Sequence, residues 1–287
     1  MEADVWRGVN WHSVAVRCLR DDEETISLLL TDLGADGVSV SSFDNFVEVT
    51  AYYPVEFDLA LIMASLSDCP GAISVAVTQV NQADWADNWK QYYHPARITR
   101  HLTIVPSWVT DYVAEPGEQL IRLDPEMSFG TGTHPTTVLA LYALEQVLRG
   151  CETVIDVGTG SGVLAIAAKL LGAAQVIATD IDDEAVAVAL ANFSLNSYAS
   201  DIKAFANDLL HGISVTADVI VANILADILV NIIDDAAALL RPGGHLILSG
   251  IYYDKIDTIV TKVEQAGLTI TTQMQQGNWH CVVAINT

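Results

Sequence analysis

The sequence predicts two domains: a large α/β domain on a doubly wound, mixed seven-stranded sheet, preceded by a small α+β domain of ferredoxin-like order. Three observations carry this. From about residue 100, strand-like and helix-like runs alternate at the spacing of βα units, which implies a parallel sheet with helices on both faces. The last two strand-like runs are separated only by Gln276-Gly277-Asn278, too short for a crossover helix, so they close the sheet as an antiparallel hairpin. The first eighty or so residues read βαββαβ, the split-βαβ unit. The expected division is 1–80 for the small domain, 81–100 for a linker and 101–287 for the large one, a reasonable partition of 287 residues.

Each element follows from pattern and punctuation. Residues 11–19 alternate as a strand around Val14 and Val16. Residues 22–35 read as a helix with acids in its first turn and Ile26, Leu29, Leu30 and Leu33 on one face, ended by Gly34 and Gly37. Residues 38–43 and 46–53 are strands around Asp44-Asn45, a hairpin signal. Residues 56–67 form a second helix through Leu59, Ile62, Met63 and Leu66, and 73–80 the fourth strand. In the linker, Trp85 and Trp89 fall on one face of a short helix begun by Asp84, either joining the domains or packing against one of them. In the large domain Pro135 opens a helix to about 148. Strands then fall at 153–157, 175–179, 218–222, 245–249, 268–275 and 279–285, with helices at 163–171, 183–196, 228–240 and 255–266.

Composition narrows the function. Hydrophobic residues make up 51% and charged residues 17%, so the chain buries a sizeable core. The net charge of −23 opposes a nucleic-acid binder and favours small ligands or a basic protein partner. Cys18, Cys69, Cys151 and Cys281 lie far apart with no CxxC pair, which indicates neither a zinc site nor a disulfide framework; no metal is expected. Residues 1–7 carry no signal-peptide pattern, and the most apolar run, 163–178, is too short to span a bilayer and contains Lys169. A cytoplasmic protein without membrane contact is expected, and nothing demands more than a monomer.

The strongest local signal is Asp156-Val157-Gly158-Thr159-Gly160-Ser161-Gly162-Val163: a buried strand enters a glycine turn and then a helix, so the backbone can pass close to a ligand. The dinucleotide fingerprint GxGxxG has its third glycine one place later, where this chain has Val163. Asp180 ends the next strand, 22 positions after Gly158, where an acid accepts hydrogen bonds from both ribose hydroxyls; Asp182 and Asp183 crowd the same turn as helix caps. Asp208 follows the next element; it is either a solvated loop acid or, by resemblance to class I methyltransferases, which often place an acid near here, a partner of the adenine amine. Asn223 ends the fourth strand of the sheet in Ala222-Asn223-Ile224-Leu225-Ala226 and is a candidate amine-orienting residue. Many amino-methyltransferases carry Asn or Asp followed by Pro-Pro-Tyr there. The Pro-Pro-Tyr is missing, which points away from planar nucleobases and towards an aliphatic amine. His134 is a helix cap or a candidate base, with the cap favoured, and the amides of that helix start can hold a carboxylate.

The DVGTGSG turn with Asp180 looks like motif I of the class I (Rossmann-like) methyltransferases, which bind S-adenosyl-L-methionine. The run Phe129-Gly130-Thr131-Gly132-Thr133-His134-Pro135-Thr136-Thr137 closely resembles the corresponding loop of the ribosomal protein methyltransferase family PrmA, whose substrate is the eleventh protein of the bacterial large ribosomal subunit. The resemblance extends over the whole chain, through the βαββαβ domain, Trp85 and Trp89, Pro106-Ser107-Trp108, the glycine turn, Asp180 and Asn223. It implies S-adenosyl-L-methionine as cofactor, with Thr137, Gly158, Asp180 and Asn223 lining it and Phe129 covering it. It also implies methyl transfer to lysine side chains and the N-terminal amine of that ribosomal protein, with the small domain recognising substrate and the aromatic linker letting it swing. In that reading the Asn223 side-chain oxygen and the Ile224 carbonyl aim the amine lone pair. A nicotinamide oxidoreductase, a non-catalytic binding module and a nucleic-acid methyltransferase are the competing readings. The missing sixth-position glycine, the intact motif residues and the charge of −23 oppose them in turn.

Overall fold

The computed structural model describes residues 10–35, 37–43, 45–54, 57, 59–67, 69, 71–81, 93–124 and 132–287. The chain divides into two compact units, 1–93 and 94–287. Trp85, Trp89 and Phe129 lie outside the described residues.

The first unit runs β1 (Asn10–Cys18), α1 (Glu23–Asp32), β2 (Gly37–Ser42), β3 (Val47–Pro54), α2 (Leu59–Ser67) and β4 (Ala72–Asn81). Its sheet order is β2-β3-β1-β4 with every neighbouring pair antiparallel, the ferredoxin-like order. The period of two puts Val14, Val16, Val47, Val49, Ala51 and Tyr53 on one face, where they bury against Ile26, Leu30, Ile62 and Leu66. Tyr53 keeps its hydroxyl satisfied inside that core by donating to the Leu30 carbonyl at 2.8 Å. Met63, one of the apolar positions spaced three and four apart in α2, is exposed.

In the second unit, β5 (Ala96–Arg97), β6 (Leu102–Pro106) and β7 (Gln119–Leu123) form a three-stranded sheet that pattern reading did not assign. The reason is length: two- and five-residue strands, one of them buried throughout, carry no readable alternation. Residues 94–100, expected in the linker, fold into this unit, because β5 pairs antiparallel with β6.

Then follow α3 (Pro135–Val147), β8 (Thr153–Val157), α4 (Val163–Leu170), β9 (Gln175–Asp180), α5 (Asp183–Ser194), β10 (Lys203–Ala206), β11 (Ala217–Asn223), α6 (Ala226–Leu239), β12 (Leu240–Tyr252), α7 (Ile256–Gln265), β13 (Thr269–Gln276) and β14 (Trp279–Ile285). The sheet order is β10-β9-β8-β11-β12-β14-β13, parallel except for β14, which runs antiparallel to both its neighbours. This is the class I methyltransferase sheet.

Successive residues of the central strands feed opposite layers. Val154, Val176, Val219 and Val221 pack on one side with α3, α4 and α5; Ile155, Ile177, Ile220 and Ala222 pack on the other with α6 and α7. Strands buried on both faces must be apolar at every position, which accounts for a mean hydropathy of +0.35. No helix among the described residues is long and apolar enough to cross a membrane. The order reverses between β8 and β11, and a parallel sheet holds its ligands outside the carboxyl ends of the strands at such a switch point.

Candidate active site

A cavity of about 670 Å³ opens at that switch point. Thr137, Gly158, Asp180 and Asn223 all line it, so the structure brings these four predicted residues together. They come from α3 and from the carboxyl ends of β8, β9 and β11.

The glycine turn is built as its sequence requires. Gly158, Gly160 and Gly162 have φ of 70°, 52° and 81°, a region open to glycine and costly for other residues. A Cβ on Gly158 would stand 2.3 Å from Ile224 Cγ2, and one on Gly162 would stand 2.5 Å from Phe193 Cε1. The turn hangs from β9 by the amides of Gly158 and Thr159, which donate to the Thr179 carbonyl at 2.8 and 2.9 Å.

Asp156, fully buried beneath the turn, holds it from below. Its Oδ2 accepts from the Thr159 hydroxyl at 2.7 Å and from the Ala165 amide in the first turn of α4 at 3.0 Å; its Oδ1 has no hydrogen-bond partner. Burial pushes its pKa up to about 7; the two hydrogen bonds oppose the rise, and the neighbouring Asp180 charge adds to it. The folded chain therefore binds this proton more tightly than the unfolded chain, and stability falls as pH rises from about 4 through about 7. Asp156→Asn is expected to remove that component. Compared with wild type, its unfolding free energy should fall less steeply across this window, by up to about 1.4 kcal/mol per pH unit. Denaturant titrations at several pH values read this directly, and parallel profiles for the two proteins would refute it.

Asp180 sits at the rim. Its Oδ2 accepts from the Gly160 amide at 2.9 Å and its Oδ1 from the Asp182 amide at 3.2 Å, which fixes the carboxylate across the turn. Asp182 is the cap of α5, accepting from the Glu184 amide at 2.9 Å, as its position suggested. Asp208 also lines the cavity, beside Asn207 and Leu209, and its Oδ2 lies 3.1 Å from His211 Nδ1.

At the opposite end, Asn223 donates from Nδ2 to the Thr137 hydroxyl oxygen at 3.2 Å. That bond orients the amide and leaves its carbonyl oxygen as the acceptor. The first turn of α3, which carries Thr137, is tied to β12 by the buried Ser249 hydroxyl, which donates to the Thr136 carbonyl at 2.7 Å. His134 is the cap of α3: Nδ1 accepts from the Thr136 amide and lies 2.8 Å from Thr136 Oγ1. The lone pair a general base would use is engaged there, and burial holds the ring pKa below the usual histidine value. His134 is a structural cap.

Among the lining residues that sequence reasoning missed, two shape the site. Gly250, at φ 85°, lets the Ile224 backbone lie against it; a Cβ there would be 2.4 Å from the Ile224 oxygen. Its place just beyond Ser249, where β12 leaves the parallel register, was the available signal. Trp279 comes from β14, packed edge-on between His134 and Tyr252 with centroids 5.2 Å from each. The run after Asn223 lacks an aromatic residue, but the cavity does not, because β14 supplies one.

Residues 10–287 match the family model for ribosomal protein L11 methyltransferase (PrmA). The chain belongs to that family. It is 51% identical, over 95% of its own length and 95% of the relative's, to the ribosomal protein L11 methyltransferase of Streptococcus pneumoniae serotype 4. To the protein of the same name from Lactococcus lactis subsp. cremoris it is 48% identical, over 96% and 95% of the two chains. Among solved structures it resembles the ribosomal protein L11 methylase of Lactobacillus delbrueckii subsp. bulgaricus, at 40% identity and a TM-score of 0.63, covering 67% of this chain and 97% of that one.

The enzyme is a protein methyltransferase and its cofactor is S-adenosyl-L-methionine. The site fits that group: a glycine turn that leaves no room for side chains, a fixed carboxylate 22 positions on and a cavity of about 670 Å³. The cofactor supplies a methyl group on a sulfonium; the family member's own residues bind it and present the acceptor.

Proposed function

We propose that this enzyme transfers methyl groups from S-adenosyl-L-methionine to amines of ribosomal protein L11, on lysine side chains and at the N-terminus. The substrate follows from the names of relatives 48–51% identical over nearly the whole chain. The observation that carries the chemistry is the Asn223–Thr137 pair at the cavity wall. With Nδ2 spent on Thr137, the Asn223 oxygen is the acceptor for an amine hydrogen, and the adjoining Ile224 carbonyl is a second. Two acceptors hold an amine by its hydrogens and aim its lone pair away from them.

In this reading Thr137, Gly158, Asp180 and Asn223 hold the cofactor, with Asp180 on the ribose hydroxyls. A lysine must first lose a proton from an ammonium of pKa about 10.4. Ile224, Leu225, Ile228 and Trp279 are among the residues lining the cavity; an apolar surrounding lowers an amine's pKa by disfavouring its charge. No side chain need serve as strong base; desolvation and alignment do the work. The net charge of −23 draws a basic protein to the enzyme, and the first unit recognises it.

The test is intact-mass spectrometry of purified ribosomal protein L11 after incubation with enzyme and S-adenosyl-L-methionine. Successive single-methyl mass steps that disappear with Asn223→Ala are expected. An unchanged mass, from enzyme that still binds the cofactor calorimetrically, would refute the substrate.

A further inference from the structure

One face of α5 lies hard against the glycine turn. Gly162 approaches it so closely that a Cβ would fall 3.2 Å from Ala189 Cβ and 2.5 Å from Phe193 Cε1. Between these two contacts, on the same face, is Asn192, only 1% exposed. Its Nδ2 donates to the Ser161 carbonyl in the turn at 2.8 Å, and its Oδ1 accepts from the Asp124 amide just past β7 at 2.8 Å. A single side-chain amide thus bolts the cofactor turn to the neighbouring sheet.

One helical turn later Asn196, 3% exposed, makes a similar clamp that does not reach the cofactor turn. It accepts from the Arg122 amide at 2.9 Å and donates to the carbonyls of Arg122 and Asn192, both at 2.8 Å. Tyr198 donates to the Leu120 carbonyl at 2.8 Å. β7 pairs with β6 along one edge, and these side chains close its other edge in place of a strand. Both asparagines therefore stabilise the same strand, but Asn192 alone also holds the turn.

The Ser161 carbonyl needs such a hold. It lies between Gly160 and Gly162, and the peptide that follows it ends on a residue with no Cβ to resist rotation. The Gly162 amide of that peptide donates to the Thr159 carbonyl at 2.8 Å, which holds the peptide within the turn; the Asn192 bond to its carbonyl ties it to α5 as well, so that it is in its binding form before cofactor arrives and less of the ordering cost falls on binding. We propose that Asn192 is a positioning residue for cofactor binding, acting through the Ser161 peptide, whereas Asn196 serves stability alone.

Asn192→Asp separates the two roles. It keeps an oxygen for the Asp124 amide but turns a second oxygen, with no proton to give, towards the Ser161 carbonyl. Asn196→Asp makes the same chemical change one turn away and is the matched control. Calorimetric titration of each full-length protein with S-adenosylhomocysteine, with thermal unfolding alongside, reads the difference. Asn192→Asp is expected to weaken binding about tenfold, the size of one lost buried hydrogen bond, while Asn196→Asp changes it less than twofold for a similar drop in Tm. Should an aspartate variant fail to fold, Asn192→Ser and Asn196→Ser carry the same comparison, since a serine hydroxyl is too short to span both partners. Wild-type affinity in the Asn192 variant, or equal loss in both, would overturn the proposal. Binding by the wild-type protein is measured first, so failure of the cofactor assignment itself would be seen separately.

Discussion

Asn223→Ala is expected to reduce methyl transfer to ribosomal protein L11 by about 100- to 1,000-fold while weakening cofactor binding less than tenfold. The asymmetry follows from where the side chain acts. Its Nδ2 is held by the Thr137 hydroxyl, so its oxygen is preset, and a preset acceptor acts more on the approaching amine than on the cofactor it helps to hold. Removing one such oriented polar group from an enclosed site costs about 3–4 kcal/mol in the transition state, which is two to three decades in rate. Alanine also strips Thr137 of its partner 86 positions away and loosens the first turn of α3, which accounts for the smaller effect on binding. Asn223→Asp keeps an acceptor and loses the donor to Thr137, so its rate should fall between the two. Single-turnover mass spectrometry at saturating cofactor is the measurement. A rate within threefold of wild type would remove Asn223 from the mechanism.

Gly158→Ala should weaken S-adenosyl-L-methionine binding by ten- to a hundredfold or more. Two costs add. Alanine at φ 70° is strained by about 1–3 kcal/mol, and its Cβ would lie 2.3 Å from Ile224 Cγ2. Cγ2 branches directly from Cβ, so the clash cannot be relieved by swinging a flexible tip; the backbone beside Asn223 must move. Ile224→Ala removes the clashing atom and leaves only the strain, because the Ile224 Cβ is 3.8 Å away. The double variant should accordingly bind better than Gly158→Ala alone, a recovery opposite to the additive loss of independent sites. Calorimetric affinities for the four proteins close the cycle. Near wild-type binding by Gly158→Ala would mean that the turn does not approach the cofactor as its shape requires.

Much of this was readable along the chain because the signals are local. The β8 strand, the glycine turn and α4 are one continuous segment whose apolar period changes at Gly158, and Asp180 closes the following strand. The βαββαβ order follows from six punctuated runs, and the final hairpin from three residues between strands. Strand ends shifted by a residue or two at most positions; the larger differences are β10 (Lys203–Ala206), to which the pattern gave no range, and β12, starting at Leu240 where the apolar pattern alone gave 245. Its first residues include Arg241, Pro242 and two glycines, which look like a turn, yet Leu240 pairs with Ala217 of β11.

What sequence determined by itself is the order of the elements in the first unit, the doubly wound sheet and the glycine turn with Asp180 and Asn223 at the ends of neighbouring strands, since each is encoded in a short run whose period or punctuation survives without its neighbours. What only the tertiary structure decided are the relations between distant runs: that Thr137 holds Asn223, that Trp279 from the last strand completes the cavity, that Gly250 makes room for the Ile224 carbonyl, and that Asn192 joins the turn to Asp124. A hydrogen bond across 86 positions has no period and a buried amide has no motif; both exist only once the burial of apolar strands has brought the segments together and left each polar atom to find a partner.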